Sequence, residues 1–238
     1  MEKAIVIGAT SGIGKGLAKL LADNNYRVGI TGRRTELLYE LKNEKPDSYF
    51  NKPFAINDTE LALEKLEELT TELGGLDLLI ICSGTGEINE KLEFEIEKRT
   101  IETNVIGFTC IADWTFNYFE KQKQGHLVAI SSIGGLRGSG EAPSYNATKA
   151  YQINYLEGLR QKANKHKEQI IITDIRPGFV DTKMAQGDGL FWVMPVDKVV
   201  SQIHKAILNK KKVVYVTKRW RIIAAILKLM PRQIYAKM

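Results

Sequence analysis

Ile5-Val6-Ile7-Gly8-Ala9-Thr10-Ser11-Gly12-Ile13-Gly14-Lys15-Gly16 decides the reading of this chain: a short apolar run, a loop of small residues, and the opening of a helical pattern. Small residues between a strand and a helix let the backbone turn tightly and approach a pyrophosphate. Free N–H groups and the helix dipole favour that charge at the helix N-terminus. The glycines are spaced G-x-x-x-G-x-G rather than G-x-G-x-x-G, so the loop reads as a phosphate cradle with a plain glycine-rich turn as its alternative. Counting back from Gly14-Lys15 puts Ala9 where a nucleoside-triphosphate loop has its first glycine. Gly16 replaces the Ser or Thr that would hold Mg²⁺, which argues against kinase and ATPase chemistry.

Outward from this loop, short apolar runs alternate with longer segments of helical period, the pattern of βαβ units. Strands are expected at Lys3 to Gly8, Arg27 to Gly32, Phe50 to Ile56, Leu76 to Cys82, His126 to Ser131, Ile170 to Ile175 and Val213 to Val216. The clearest helices are Ile13 to Asn24, Thr35 to Asn43, Thr59 to Leu73, Ile96 to Gln122, Pro143 to Asn164 and Val196 to Leu208. Asp58 is placed to cap the third helix and Gly74-Gly75 to stop it. The expected fold is α/β, a single doubly wound Rossmann-type domain whose central, mostly parallel sheet has seven strands with helices on both faces. Residues 1–217 form that domain, and 218–238 add a basic amphipathic helix to it.

Composition agrees with one globular core: of 238 residues, 44% are hydrophobic and 26% charged. Cys82 and Cys110 both lie in apolar surroundings, as thiols in a reducing compartment do. The N-terminus has no long apolar h-region and the late run Ile222 to Leu227 is too short to span a bilayer, so a cytoplasmic protein is expected. Eleven basic and no acidic residues follow Asp197, leaving 23 basic against 28 acidic before it. The net charge of +6 therefore belongs to the tail, and an acidic body gives no footprint for nucleic acid. His126, His166 and His204 lie far apart without metal-ligand spacing, so no metal site is expected.

At the end of the second strand, Thr31-Gly32-Arg33-Arg34 stands where an NAD site places a carboxylate for the ribose 2′-hydroxyl. Arg33 and Arg34 instead offer guanidinium forks suited to a 2′-phosphate, and NADP(H) is preferred over NAD(H). Ser131-Ser132 ends the fifth strand. Thirteen residues beyond Ser132, Tyr145-Asn146-Ala147-Thr148-Lys149 sets a phenol and an amine on one helix face. A nearby ammonium favours phenolate, and bringing a phenol from its usual pKa of ~10 to neutrality takes about 4 kcal/mol. The pair reads as a proton-transfer device.

In this order and spacing the motifs are those of a known family. The chain resembles the short-chain dehydrogenase/reductase family of the compact type over roughly residues 3 to 216. Gly8, Gly12 and Gly14 match its cofactor loop, Asn104 the asparagine of its long fourth helix, and Ser132, Tyr145 and Lys149 its catalytic residues. Pro177-Gly178 with Thr182 looks like its nicotinamide-contact segment. The resemblance implies hydride transfer between nicotinamide C4 and a carbonyl or alcohol carbon. Ser132 would hold the substrate oxygen and Tyr145 would exchange its proton. Lys149 would lower the Tyr145 pKa and bind the nicotinamide ribose. Asn104, through a helix distortion and a bound water, would link Lys149 to solvent. It further implies cofactor contacts at Thr10, Ser11, Ile13, Ile56, Gly84 and Val180. The chain departs from the family at Ile81-Cys82-Ser83, where Asn-Asn-Ala is usual before Gly84, at Ile7 for a threonine, and at Ala55 for the adenine-side aspartate. These departures leave sheet hydrogen bonds and adenine contacts less defined than phosphate contacts. Cys82, with no partner nearby in sequence, reads as a packed thiol.

The substrate loop, about residues 179–195, is expected to hinge at Gly187 and Gly189 and to close with Phe191, Trp192 and Met194 as an apolar lid, or to pack on the body. A lid of that kind fits a lipophilic ketone, aldehyde or secondary alcohol. In the tail, Lys218, Arg221, Ala225 and Lys228 form one stripe, with Trp220, Ile223, Ile226, Leu227 and Met230 around the other side. Packing on the core or on a neighbouring subunit is favoured over peripheral docking on an anionic membrane, and the resemblance implies a homodimer or homotetramer. The alternative to an enzyme is a dinucleotide-sensing or interaction protein that keeps the fold without turnover.

Overall fold

The computed structural model of the protein describes residues 1–165, 169–185 and 190–236. Seven strands, β1 (Lys3–Ile7), β2 (Arg27–Gly32), β3 (Tyr49–Pro53), β4 (Leu78–Ile81), β5 (Gln124–Ile130), β6 (Gln169–Pro177) and β7 (Val213–Val216), form one sheet in the order β3-β2-β1-β4-β5-β6-β7. Every neighbouring pair is parallel, so the sheet is wholly rather than mostly parallel. Such a sheet must be covered on both faces, which explains why its central strands β1 and β4 read as apolar runs. In β1, Ala4 and Val6 enter one core while Ile5 and Ile7 enter the other. The first core is closed by α1 (Gly12–Asp23), α2 (Thr35–Glu44) and α7 (Val196–Leu208). The second is closed by α3 (Thr59–Leu73), α5 (Phe108–Gln122) and α6 (Pro143–Lys165).

Local chemistry sets the boundaries. The Asp58 carboxylate accepts from Leu61 N at 3.3 Å to start α3, and Gly74 at φ +75° ends it. β3 stops at Pro53 rather than Ile56 because its neighbour β2 ends at Gly32, whose carbonyl takes the last ladder bond from Phe54 N at 3.2 Å. Gly16, which cannot serve a Mg²⁺ site, is a packing residue: a Cβ there would lie 2.7 Å from a Val200 methyl, so α1 and α7 meet through its missing side chain.

Two expectations are corrected. The long helix foreseen over Ile96 to Gln122 is three pieces: α4 (Phe94–Ile101), a π-helical turn (Glu102–Gly107) and α5. The turn passes so close to Ile56 that a Cβ at Gly107 would lie 2.5 Å from its carbonyl oxygen, and it carries Asn104 fully inside. The tail helix α8 (Trp220–Leu229) packs with Trp220 and Ala224 on Ile133, whereas Ile226 turns to solvent with Ile222 and Leu229. Gly178 decides this choice, because its missing side chain leaves the slot that the Trp220 indole fills. Arg137, in the loop beyond Ser132, donates to the carbonyl oxygens of Leu227 (2.7 Å) and Met230, fastening α8 to that loop. Among the described residues no helix is long and apolar enough to cross a membrane.

Candidate active site

The strand order reverses between β1 and β4, where open parallel sheets bind ligands beyond their carboxyl ends. The loop after β1 is built for close approach there. Gly8 sits at φ +91°, and a Cβ on it would lie 2.8 Å from Ser83 N. One on Gly14 would lie 2.1 Å from the Gly8 carbonyl oxygen. Gly8 N and Ala9 N both donate to the Thr31 carbonyl, at 3.1 and 2.8 Å, which ties the loop to the end of β2. The Ser11 side chain, instead of capping α1, accepts from Arg34 at 2.7 Å, and Arg34 also donates to Thr10 Oγ1 at 2.5 and 3.2 Å. The Arg34 guanidinium thus lies against the rim of the cradle, with Arg33 exposed beside it. Thr31 Oγ1 is buried there without a hydrogen-bond partner. Glycines that admit no side chain, a helix N-terminus and a guanidinium at the β2 edge fit a phosphorylated dinucleotide.

The other expected contacts fall on the same side with different roles. A Cβ on Gly12 would come 3.1 Å from the Thr182 methyl, so Thr182 faces the loop across the cleft. Pro177 ends β6, Gly178 N donates to Val216 O at 2.9 Å, and Val180 is buried and bridged to Met194. Ile13 packs on the first core, and Ile56 is buried in the second. Gly84 stands beside Asn104 and Lys149, each with a polar atom 3.4 Å from where its Cβ would be. Gly187 and Gly189 lie outside the described residues.

The candidate triplet Ser132, Tyr145 and Lys149 is brought together by β5 and α6. The buried stripe of α6 is polar at its start, with Ser144, Thr148, Lys149 and Gln152, and apolar beyond, with Leu156, Leu159 and Ala163. Core packing therefore fixes the far half of the helix and aims the near half at the end of β5. Ser132 opens a 3₁₀ turn (Ile133–Leu136), its Oγ accepting from Gly134 N at 3.0 Å, and it faces Tyr145 across Gly134, where a Cβ would lie 3.3 Å from Ser132 Oγ and 3.5 Å from Tyr145 Cε1. Lys149 Nζ donates to the Ile130 carbonyl at 3.0 Å and stands 5.9 Å from the centre of the Tyr145 ring.

Burial raises the Tyr145 pKa above its usual value, and Ser132 offsets part of this. Lys149 itself is pushed down to about 8 by burial, against the opposing field of the buried Asp174 and a smaller effect of Cys82. The Cys82 thiol is pushed up to about 12 by burial, which removes it as a reactive group at neutral pH.

Asn104 lies in the π-helical turn and is tied to the loop after β4 and to α6. Its side chain accepts from Thr85 N at 2.9 Å and donates to Thr85 O and Thr148 Oγ1 at 2.7 and 3.0 Å, pinning the loop after β4. Its carbonyl accepts from Gln152 Nε2 at 2.9 Å. Gln152 Oε1 in turn accepts from Lys149 Nζ at 2.9 Å. A buried amide thus bridges the two groups directly.

Three further participants lie outside the expected set. Gln152 is a polar residue three positions after Lys149 on an inward stripe, and that misplacement is its only signal. Gly86 lies against the phenol, since a Cβ there would be 2.3 Å from Tyr145 Cδ2. Asp174, fully buried, accepts from Ser131 Oγ at 2.5 Å and from Arg176 at 2.7 Å. Among the histidines, His126 is buried against Thr173 Oγ1 at 2.8 Å, and His166 lies outside the described residues.

Comparison with known proteins gives the family and the fold. A family model described as short chain dehydrogenase matches residues 2–189. An uncharacterized oxidoreductase of Myxococcus xanthus is 34% identical over 186 residues, covering 76% of this chain and 73% of its own. Serine dehydrogenase from Escherichia coli is 28% identical with a TM-score of 0.69, covering 74% of this chain and 82% of that one. The closed form of a serine dehydrogenase complexed with NADP⁺ shares the fold, with a TM-score of 0.81 at 24% identity over 90% of this chain and 94% of that one.

Proposed function

The chain belongs to the short-chain dehydrogenase family, and from that premise we propose that it is an NADPH-dependent reductase of lipophilic ketones or aldehydes, with Tyr145 as proton donor. The observation that carries this is the meeting of Ser132, Tyr145 and Lys149 beyond the sheet's carboxyl edge, on the side where the glycine loop and Arg34 form a phosphate cradle. The family uses nicotinamide cofactors, and when bound the nicotinamide supplies hydride at C4.

The residues of this chain do the rest. Gly8, Gly12 and Gly14 admit the pyrophosphate, Arg34 with Arg33 receives the 2′-phosphate, and Thr182 closes on the loop. Ser132 Oγ, fixed by Gly134 N, orients the substrate oxygen, and Tyr145 gives that oxygen a proton as it becomes a hydroxyl. Burial keeps the phenol protonated at neutral pH, the form reduction needs. The reverse oxidation needs phenolate, so its rate should climb through the alkaline range. Phe191 and Trp192 form an aromatic cluster with Phe179 and Trp220, centroids 5.2 to 6.1 Å apart, which supports a lipophilic substrate. Exposed Ile101, Ile106 and Tyr151 line shallow grooves along α4, α5 and α6, away from Ser132, and support a homodimer or homotetramer.

The cofactor reading is tested by fluorescence titration. Replacing Arg33 and Arg34 by alanine should raise the Kd for NADPH about 100-fold, the loss of one or two charge-assisted hydrogen bonds. NADH binding should hardly change, and equal losses for both cofactors contradict the assignment.

Gln152 is a positioning residue, and its effect should appear in the pH profile. Its Oε1 stabilises the charged form of Lys149, so Gln152→Leu should move the alkaline limb of kcat/KM for reduction, near pH 8 in the parent, about one unit lower. Gln152→Glu should move it higher. Superimposable profiles would remove Gln152 from the account.

A further inference from the structure

The geometry points to α8 as a docking surface for an anionic lipid bilayer. Helix α8 carries two apolar stripes. One, with Trp220 and Ala224, is already buried on the catalytic loop, so folding is served without the second. The second stripe, Ile222, Ile226 and Leu229, is 64%, 48% and 84% exposed. Its side chains stand at the centre of the solvent face rather than at its margin. Arg219 flanks them on one side and Arg221 and Lys228 on the other, all exposed. A ridge of aliphatic side chains between cations is what an interfacial helix presents to headgroups and the upper acyl region.

Charge complementarity selects the occupant. Eleven basic and no acidic residues follow Asp197, so a two-fold contact with the same face of a second copy would bring cations against cations. An anionic bilayer neutralises them and receives the ridge. The surface also continues onto the lid: Trp192 is exposed, with the Arg219 guanidinium 5.8 Å from its ring centre, and Phe191 beside it packs on Trp220. A protein seated on α8 would thus turn its substrate loop toward the lipid. If the proposed reductase reading holds, lipophilic carbonyl compounds would reach the site from the bilayer, although docking itself does not depend on turnover.

Flotation with vesicles tests the proposal. The full chain should float with vesicles of phosphatidylglycerol and phosphatidylcholine in equal parts, and stay in solution with phosphatidylcholine alone. Ile222→Ser/Ile226→Ser/Leu229→Ser should weaken partitioning about tenfold or more. Arg221→Ala/Lys228→Ala should weaken it about fivefold per charge. Both variants replace exposed side chains and should keep the parental unfolding temperature. The proposal is overturned if the parent does not float with anionic vesicles, or if both variants float as it does. It is also overturned if the serine variant lowers the subunit number by light scattering while the parent stays in solution, since a second copy would then be the occupant.

Discussion

Tyr145→Phe should lower kcat for carbonyl reduction by about 10²- to 10⁴-fold, the range a positioned proton donor contributes. The ring is held by packing on Gly86, which the phenylalanine keeps, so NADPH titration and unfolding temperature should stay near those of the parent. What disappears is the hydroxyl that would give its proton to the substrate oxygen. Single-turnover measurements at saturating NADPH separate this from a binding defect. A variant turning over within threefold of the parent would place the proton donor elsewhere.

Asp174→Ala should cost about 3–5 kcal/mol of folding stability, the penalty for removing one partner of a buried ion pair. Asp174 is fully buried at the carboxyl end of β6 and takes Nε and a terminal nitrogen of Arg176, both at 2.7 Å. Without the carboxylate, that guanidinium keeps one neutral partner, Tyr215 OH at 3.0 Å, and stays 5% exposed in the folded chain. Ser131, the neighbour of Ser132, loses one of its two acceptors in the same substitution and keeps the Ile175 carbonyl at 3.1 Å. Against a total stability of 5–15 kcal/mol for typical domains, the shift should be plain in the urea midpoint. A change below about 1 kcal/mol would mean that the pair is solvated.

How far the sequence reached depended on the range of the interactions involved. The sheet was legible because its central strands, β1 and β4 above all, are apolar runs buried on both faces, and α3 was legible to the residue because Asp58 and Gly74 mark its ends in local chemistry. The glycine loop, Ser132, Tyr145 and Lys149 were legible because backbone approach and i, i+4 spacing are local constraints. The π-helical turn was legible only through the family resemblance, which implied a distortion at Asn104, since one extra residue in a turn hardly disturbs the hydrophobic period that Phe108, Ile111 and Ala112 resume. Gly86 and the Gln152 bridge were not legible, because each matters through a residue on another element or through a burial that periodicity does not rank. The tail had two apolar stripes of similar strength, and the slot at Gly178, far along the chain, selected the one with Trp220.

Hydride transfer with proton donation at Tyr145 is tested most directly with NADPH carrying deuterium at C4 on both faces. Incubation with a panel of lipophilic ketones and aldehydes, followed by mass spectrometry of the products, should find alcohols with one deuterium on the carbinol carbon. Formation should match NADPH loss and fall away in Tyr145→Phe. NADPH that stays unoxidised across the panel, or alcohols without the label, would contradict the account.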